Sequence, residues 1–447
     1  MYTEAVRPTL YYPGTLPDRV ACSGKLCSTL VISMLRRALI LICLGLPLWF
    51  SHCLFHPFSR GPVEDLFGLE DDDSNLLRNL LLFYAISNFA PPVYFTNGQA
   101  ASVVIGQTSF TSSDSGRSQT LLGVQYGNPT VIDGRLYLPD NGNYRIMGYN
   151  SIPVVNGASA DFVIGATDFV SLGNLLSVDS LSNFNGRLFV TYNPPATSGT
   201  GVGVFNSAPV STTASSPDYS LTDAAESNLG ISFSQGSHFA GGNRLLVGDY
   251  DLNRVLVWNS IPAANGIQPD LVLGQTNFSS SSANAGTGSP NAVGLRNPSN
   301  VWTDGNRIVI IDSSNHRVLI WNSWPASSGQ PADLVLGQPD FSSANANQGM
   351  GSPTASTMQF PYIGIAVNGN QLFIGDGNYR VLIWNTWPTQ NGQAADVVLG
   401  QPDFTSDVYP EGASATSIYP NGIFLSGTRL IVSDNSVNRY LIFEGSY

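Results

Sequence analysis

Along most of the chain the apolar residues come in short blocks bounded by Gly, Asn, Asp, Pro or Ser, such as "RIVIID" (307–312) and "RVLIWN" (317–322). Blocks of this length, rich in β-branched residues and lacking helical spacing, predict strands separated by turns. The blocks also recur. The segments "PDNGNYRIMGYN", "GDYDLNRVLVWN", "IDSSNHRVLIWN", "IGDGNYRVLIWN" and "SDNSVNRYLIFE" carry Arg145, Arg254, Arg317, Arg380 and Arg439, at spacings of 109, 63, 63 and 59. A second register, "VIGQTSF" to "VLGQPDF", places Gly106, Gly165, Gly274, Gly337 and Gly400 at spacings of 59, 109, 63 and 63. Each register has one double gap, and "GVGVFNS" (201–207) with "PDYSLTD" (217–223) supplies the worn unit inside it. The strand-ending residues Asn150, Asn206, Asn259, Asn322, Asn385 and Glu444 then mark six units over residues 100–447. Self-similarity at this period predicts a solenoid or a propeller.

Strand content decides between them. Each unit offers four strands: one after a Pro ("PSNVWTD"), one before the Asp, one after the Arg, and one ending in Gly-Gln ("DLVLGQ"). Radially repeated four-stranded sheets describe an all-β, six-bladed β-propeller. "NG" at 156–157, 265–266 and 391–392 predicts tight hairpins between the third and fourth strands. The first unit begins with a Gly-Gln strand and the last ends without one. Strand 102–106 is therefore expected to complete the last blade beside 439–443, removing an open sheet edge.

The pattern of Asp, a short gap, Asn, Arg and an apolar strand resembles the NHL-repeat family of propellers, over roughly residues 100–447. Unit two, "TYNPPATSGTGVGVFN", departs from it, having neither the Asp nor the Arg. The resemblance implies that Asp140 with Arg145, Arg254, Asp312 with Arg317, Asp376 with Arg380, and Asp434 with Arg439 are intrablade ties made by charge-assisted hydrogen bonds. A cluster repeated in five units reads as architecture, since chemistry at one site needs one constellation. His316 shares its position with Tyr144 and Tyr379 and reads as packing.

Composition narrows the function. Only 11% of residues are charged, against roughly 25% in an average soluble domain. Lys25 is the only lysine, and from residue 100 onward 23 acids face 12 arginines, a net of -11. The clustered basic footprint that a phosphate backbone requires is absent, so nucleic acid is not an expected partner. The repeat region has two histidines, His238 and His316, too few for three-histidine zinc. Six-bladed relatives include zinc lyases and calcium lactonases. Calcium is thus the candidate if there is a cofactor, although the inner-strand segments offer mostly Asn, Ser and backbone oxygens. No G-x-S-x-G elbow, P-loop or CxxC occurs in the repeats. The candidate axial residues are His238, Asn300, Tyr362 and Asn421, with a structural role for each as the first reading. "WNSWP" and "WNTWP" either stack on sugars or pack blade against blade, the second being preferred. The long Ser/Asn/Gly loops after the Gly-Gln strands are expected on one face, where recognition tends to sit.

The cysteines, Cys22, Cys27, Cys43 and Cys53, all precede the repeats, so no disulfide framework staples them. From Met34, "MLRRALILICLGLPLWFSHC" has a basic start, a short apolar core and a polar exit, the parts of an export signal over 34–52. Its end resembles a bacterial lipoprotein signal, with Cys53 as the lipid attachment site. Ser51 fits that box, whereas Phe50 and His52 depart from it. An uncleaved anchor and plain secretion remain as alternatives. Residues 1–33 are expected to be an upstream extension, and 53–99 a tether with a short apolar helix over 75–88, stopped by Pro91 and Pro92. The sequence thus predicts an exported, monomeric propeller of a bacterial cell envelope, held to the outer membrane by lipid alone. Its expected role is a non-catalytic scaffold binding a protein or glycan, the alternative being a metal-dependent lyase or lactonase with its site on the axis.

Overall fold

The computed structural model describes residues 90–123, 126–193, 201–221, 238–362 and 364–447. The upstream extension, the export signal, Cys53 and the helix expected over 75–88 lie outside the described residues. The rest forms six antiparallel four-stranded blades in a ring. A first strand, β1 (Val103–Ile105), precedes blade one, which comprises β2 (Thr130–Ile132), β3 (Arg135–Asp140), β4 (Arg145–Tyr149) and β5 (Phe162–Ile164). Blade two is β6 (Leu176–Phe184), β7 (Arg187–Asn193), β8 (Gly201–Phe205) and β9 (Tyr219–Leu221). Blade three is β10 (His238–Gly241), β11 (Arg244–Asp249), β12 (Arg254–Trp258) and β13 (Leu271–Leu273). Blade four is β14 (Pro298–Thr303), β15 (Ile308–Asp312), β16 (Arg317–Trp321) and β17 (Leu334–Leu336). Blade five is β18 (Ile365–Asn368), β19 (Gln371–Asp376), β20 (Arg380–Trp384) and β21 (Val397–Leu399). Blade six has β22 (Pro420–Ser426), β23 (Arg429–Asp434) and β24 (Arg439–Glu444), and β1 is its fourth strand, with Val103 opposite Ile442 and Ile105 opposite Tyr440. The worn unit makes a full blade, its β8 and β9 falling on the two segments aligned to it from sequence.

The core is divided into six apolar layers, one between each pair of neighbouring blades. In the layer between blades four and five, for instance, Val309, Ile311, Val318 and Ile320 meet Leu372, Ile374, Leu382 and Trp384. A middle strand therefore buries both faces. That is why "RVLIW" reads as a continuous apolar run, where a strand with one wet face would alternate. Fully burying each such side chain contributes about 1.5–3 kcal/mol.

The predicted Asn-Gly hairpins are corrected. The third and fourth strands are joined by long connections, and at 156–157 and 391–392 the dipeptide within them clasps the neighbouring blade. Asn156 Oδ1 accepts the Val104 N–H at 3.0 Å while the Gly157 N–H donates to the Val104 carbonyl at 3.0 Å. Asn391 and Gly392 do the same to Val335. Ser328 and Gly329 do it to Val272. The outermost strands, which would otherwise present unpaired backbone, are thus covered by the next unit.

A fourth clasp shifts a boundary. Asn97 Oδ1 and the Gly98 N–H hold Val398 of β21, so residues assigned to the tether take part in the ring. Gln371 brackets Val93 with both ends of its side-chain amide, and Tyr94 bridges to Ser446. Asn368, at the β18–β19 turn, donates to the Pro91 carbonyl.

Candidate functional site

The repeated Asp and Arg side chains are buried and paired in five blades. The pairs are Asp140–Arg145, Asp249–Arg254, Asp312–Arg317, Asp376–Arg380 and Asp434–Arg439, at 2.7–2.8 Å. Each arginine also donates to the carbonyl of the Phe that follows its Gly-Gln or Gly-Ala strand end: Phe169, Phe278, Phe341, Phe404 and, across the ring closure, Phe110. Arg317 adds the carbonyls of Asn291 and Gly294. One guanidinium therefore ties two loops of a single face to its own turn. The residue before each arginine, Tyr144, Asn253, His316, Tyr379 or Asn438, has a φ of 52–58°. The preference there is for a left-handed turn, and His316 meets it, its Nδ1 accepting the Phe360 N–H at 3.0 Å.

The Gly-Gln signature serves the same face. Gly106, Gly165, Gly274, Gly337 and Gly400 all have φ of 84–88°, and a Cβ at Gly400 would fall 2.3 Å from Ile418. The following Gln side chains are buried, and Gln338 donates to the carbonyls of His316 and Asn345. The long loops are further pinned by Asn pairs, Asn347 with Asn378 and Asn284 with Asn315. They lie on the face of the Asp–Arg turns and are hydrogen-bonded to them there.

At the centre of that face the starts of the inner strands converge. The Tyr362 hydroxyl is pushed above the ordinary value of 10, first by burial and then by the nearby charges of Tyr250, Asp179, Tyr126 and Tyr419. Those residues come from blades three, two, one and six, so one small region is shared by five blades. Tyr419 in turn packs with Tyr379 (5.3 Å between ring centroids) and Tyr409 (6.5 Å). Tyr409 is 52% exposed, which extends the aromatic surface outward.

Asp179 is carried by an irregularity. The pairing of β6 with β7 shifts register between Leu176 and Ser180, and Ser177 takes a φ of 53°. A bulge of this kind re-aims a side chain. Gly127 lets blade one approach it, since a Cβ there would sit 0.8 Å from the Asp179 carbonyl oxygen. The carboxylate accepts from Asn141 Nδ2 at 2.5 Å. Among the described residues no cation pairs with it. Burial outweighs the Asn141 bond and pushes its pKa up to about 7.

Of the four axial residues expected from sequence, Tyr362 stands in this mouth, and Asn421 borders it, its carbonyl accepting the Gly127 N–H. Asn300 is buried, with Oδ1 on the Val301 N–H. His238 is buried too. Its Nδ1 lies 2.6 Å from Thr191 Oγ1, and burial drives its pKa down to about 3, so it stays neutral. Among the described residues no three His, Cys, Asp or Glu side chains form a group that could hold a metal ion. The tryptophans turn to packing. Trp321 and Trp384 are buried, while Trp324 and Trp387 lie under Arg244 and Arg307 at 3.9 and 4.0 Å and donate to Asn259 and Asn322.

No protein-family model and no curated protein matches the chain. Among solved structures it is similar to a structural-genomics protein of unknown function from Bacteroides thetaiotaomicron VPI-5482, at 12% identity over 78% of this chain and 76% of that one, with a TM-score of 0.42. It is similar to the WD40 β-propeller domain of Doa1, at 12% identity over 80% and 96%, TM-score 0.38. The computationally designed Ika8 protein matches at 10% identity over 77% and 99%, TM-score 0.39.

Proposed function

We propose that this propeller is a non-catalytic scaffold that binds a glycan at the tyrosine-lined mouth, and that it is an NHL-like member of a bacterial cell envelope, held by lipid on Cys53. The cluster of Tyr379, Tyr409 and Tyr419, with ring centroids 5.1–6.5 Å apart and Tyr362 close enough to feel Tyr419, carries the reading. Aromatic bodies with a few placed polar groups are the usual lining of a small-ligand site. A face whose repeated arginines are committed to buried aspartates, with Arg117 and Arg296 exposed on its loops, offers hydrogen bonds and aromatic surface, which suits a hydroxyl-rich ligand.

Binding of the purified full chain to a panel of immobilised oligosaccharides tests this. A bound glycan whose affinity falls at least tenfold in Tyr362→Ala and Tyr419→Ala supports the mouth as the seat; undiminished affinity in both moves the site elsewhere. The anchor is tested separately by metabolic labelling with an alkyne fatty acid in a bacterial host. Label is expected on the native chain and lost in Cys53→Ala, and equal label on both would sink the anchor.

A further inference from the structure

The mouth holds a carboxylate that has no counter-charge among the described residues. Five of the blades each neutralise their buried aspartate with an arginine, whereas Asp179 sits on the one blade that has lost that pair in sequence. Asn141 is its hydrogen-bond donor, Gly127 packs against its backbone and donates to the Asn421 carbonyl, and the charge of Asp179 reaches Tyr362, as do Tyr126, Tyr250 and Tyr419, with Asp251 the further acid beside Tyr250. Burial raises Tyr250, Tyr362 and Tyr419 above their ordinary value, so these phenols stay protonated and neutral near pH 7. A half-buried, unpaired carboxylate ringed by phenols attracts a positive charge, and an anionic ligand would be repelled.

We propose that the ligand presents an alkylammonium group to Asp179, with the four tyrosines around it. The inference rests on the glycan reading and narrows it to amine-bearing sugars. The kind of cation follows from the donors. A hard divalent ion wants six to eight oxygens with several carboxylates, and among the described residues no group of three His, Cys, Asp or Glu supplies them. Aromatic rings present negative potential on their faces and attract ammonium groups, the methylated and quaternary ones, which shed water most readily, most of all. A partly desolvated site strengthens its attraction to the one acid.

Titration calorimetry of the full chain separates the parts, using three probes: a tetramer of N,N,N-trimethylglucosamine, whose charge does not depend on pH, a tetramer of N-acetylglucosamine, and tetramethylammonium chloride. At pH 8 the trimethylated tetramer is expected to bind at least tenfold more tightly than the acetylated one. That preference should shrink at pH 5.5, where Asp179 takes up a proton, and should vanish in Asp179→Asn, which keeps the Asn141 bond. Equal or tighter binding of the acetylated tetramer overturns the cation inference and leaves the glycan reading standing. Binding of tetramethylammonium alone, sensitive to Asp179→Asn, upholds the cation seat and removes the sugar. A preference that survives Asp179→Asn overturns the assignment to that residue, and silence from all three probes overturns both readings.

Discussion

Deleting residues 90–107 from the full chain is expected to abolish the monomeric folded state. The segment contributes β1, and with it Val93, Phe95, Ala101, Val103, Val104 and Ile105, all buried in the layers on either side of blade six. At about 1.5–3 kcal/mol for each of the five larger side chains, the loss is on the order of 10 kcal/mol, comparable to the whole stability of a typical domain. The deletion also frees one edge of β24, a ready template for pairing with another chain, and removes the Asn97–Gly98 clasp from β21. Light scattering after gel filtration should show aggregates or exchanged dimers. Adding a synthetic peptide of residues 90–107 should restore monomer. A deleted chain that stays monomeric with an unchanged melting temperature would show that ring closure is dispensable.

Arg317→Met is expected to destabilise the protein by about 3–5 kcal/mol, the usual result of removing one partner from a buried pair. Methionine keeps much of the volume, so the effect comes from charge and hydrogen bonds. Asp312 loses its 2.7 Å partner, and the carbonyls of Asn291, Gly294 and Phe341 lose their donor. Asp312 is already held above its ordinary value of 3.8, burial outweighing Arg317, Asn315 and the Arg296 N–H. Without Arg317 it is raised further. An acid whose folded pKa is raised costs stability fully above that pKa and not at all below its unfolded one. The deficit of the variant relative to the native chain should therefore shrink as pH falls toward 4. Urea unfolding at pH 7.5 and pH 4.5 measures it. Asp312→Leu combined with Arg317→Met should recover part of the loss, since the isolated charge is gone while the three carbonyls remain unserved. A single variant as stable as the native protein would mean that the pair contributes neither cohesion nor a penalty.

The architecture was legible because its signals are periodic. Arginines a fixed distance apart, glycines in a second register and a missing final strand each constrain the same ring, and each has a local cause: the arginine gathers loops, and the glycine turns left-handed where a Cβ would strike the next loop. The Asn-Gly dipeptides misled because a positive-φ glycine suits a hairpin and a clasp equally well, and only the distant partner tells them apart. The start of the ring was set at residue 100, although "NGQAASVVIGQ" (97–107) parallels "NGQAADVVLGQ" (391–401) closely enough to have moved it back.

The mouth was only half legible. Tyr362 precedes an inner strand and Asn421 lies at the start of one, both in intact units, so the repeat makes their places readable. That of Asp179 is not, because its unit has lost the register that would have aligned it, and the bulge that presents it leaves no mark in the hydrophobic pattern. Tyr126 and Tyr419 also precede inner strands, while Tyr250 comes from the turn after β11, so no single column of the repeat contains them. The break in the repeat was itself the signal: the blade that departs from the rule is the blade that brings the unpaired acid.

The two faces of the ring differ in one more respect. The mouth lies among the loops that the arginines gather, whereas Tyr94 meets Ser446, and Asn368 meets Pro91, at the turns on the other side. Both ends of the ring's chain thus leave from the side away from the tyrosines, which gives the molecule a built-in polarity. A tag or surface linkage at Tyr447 therefore occupies the turn side and leaves the mouth clear, so immobilisation through it presents the tyrosine face outward.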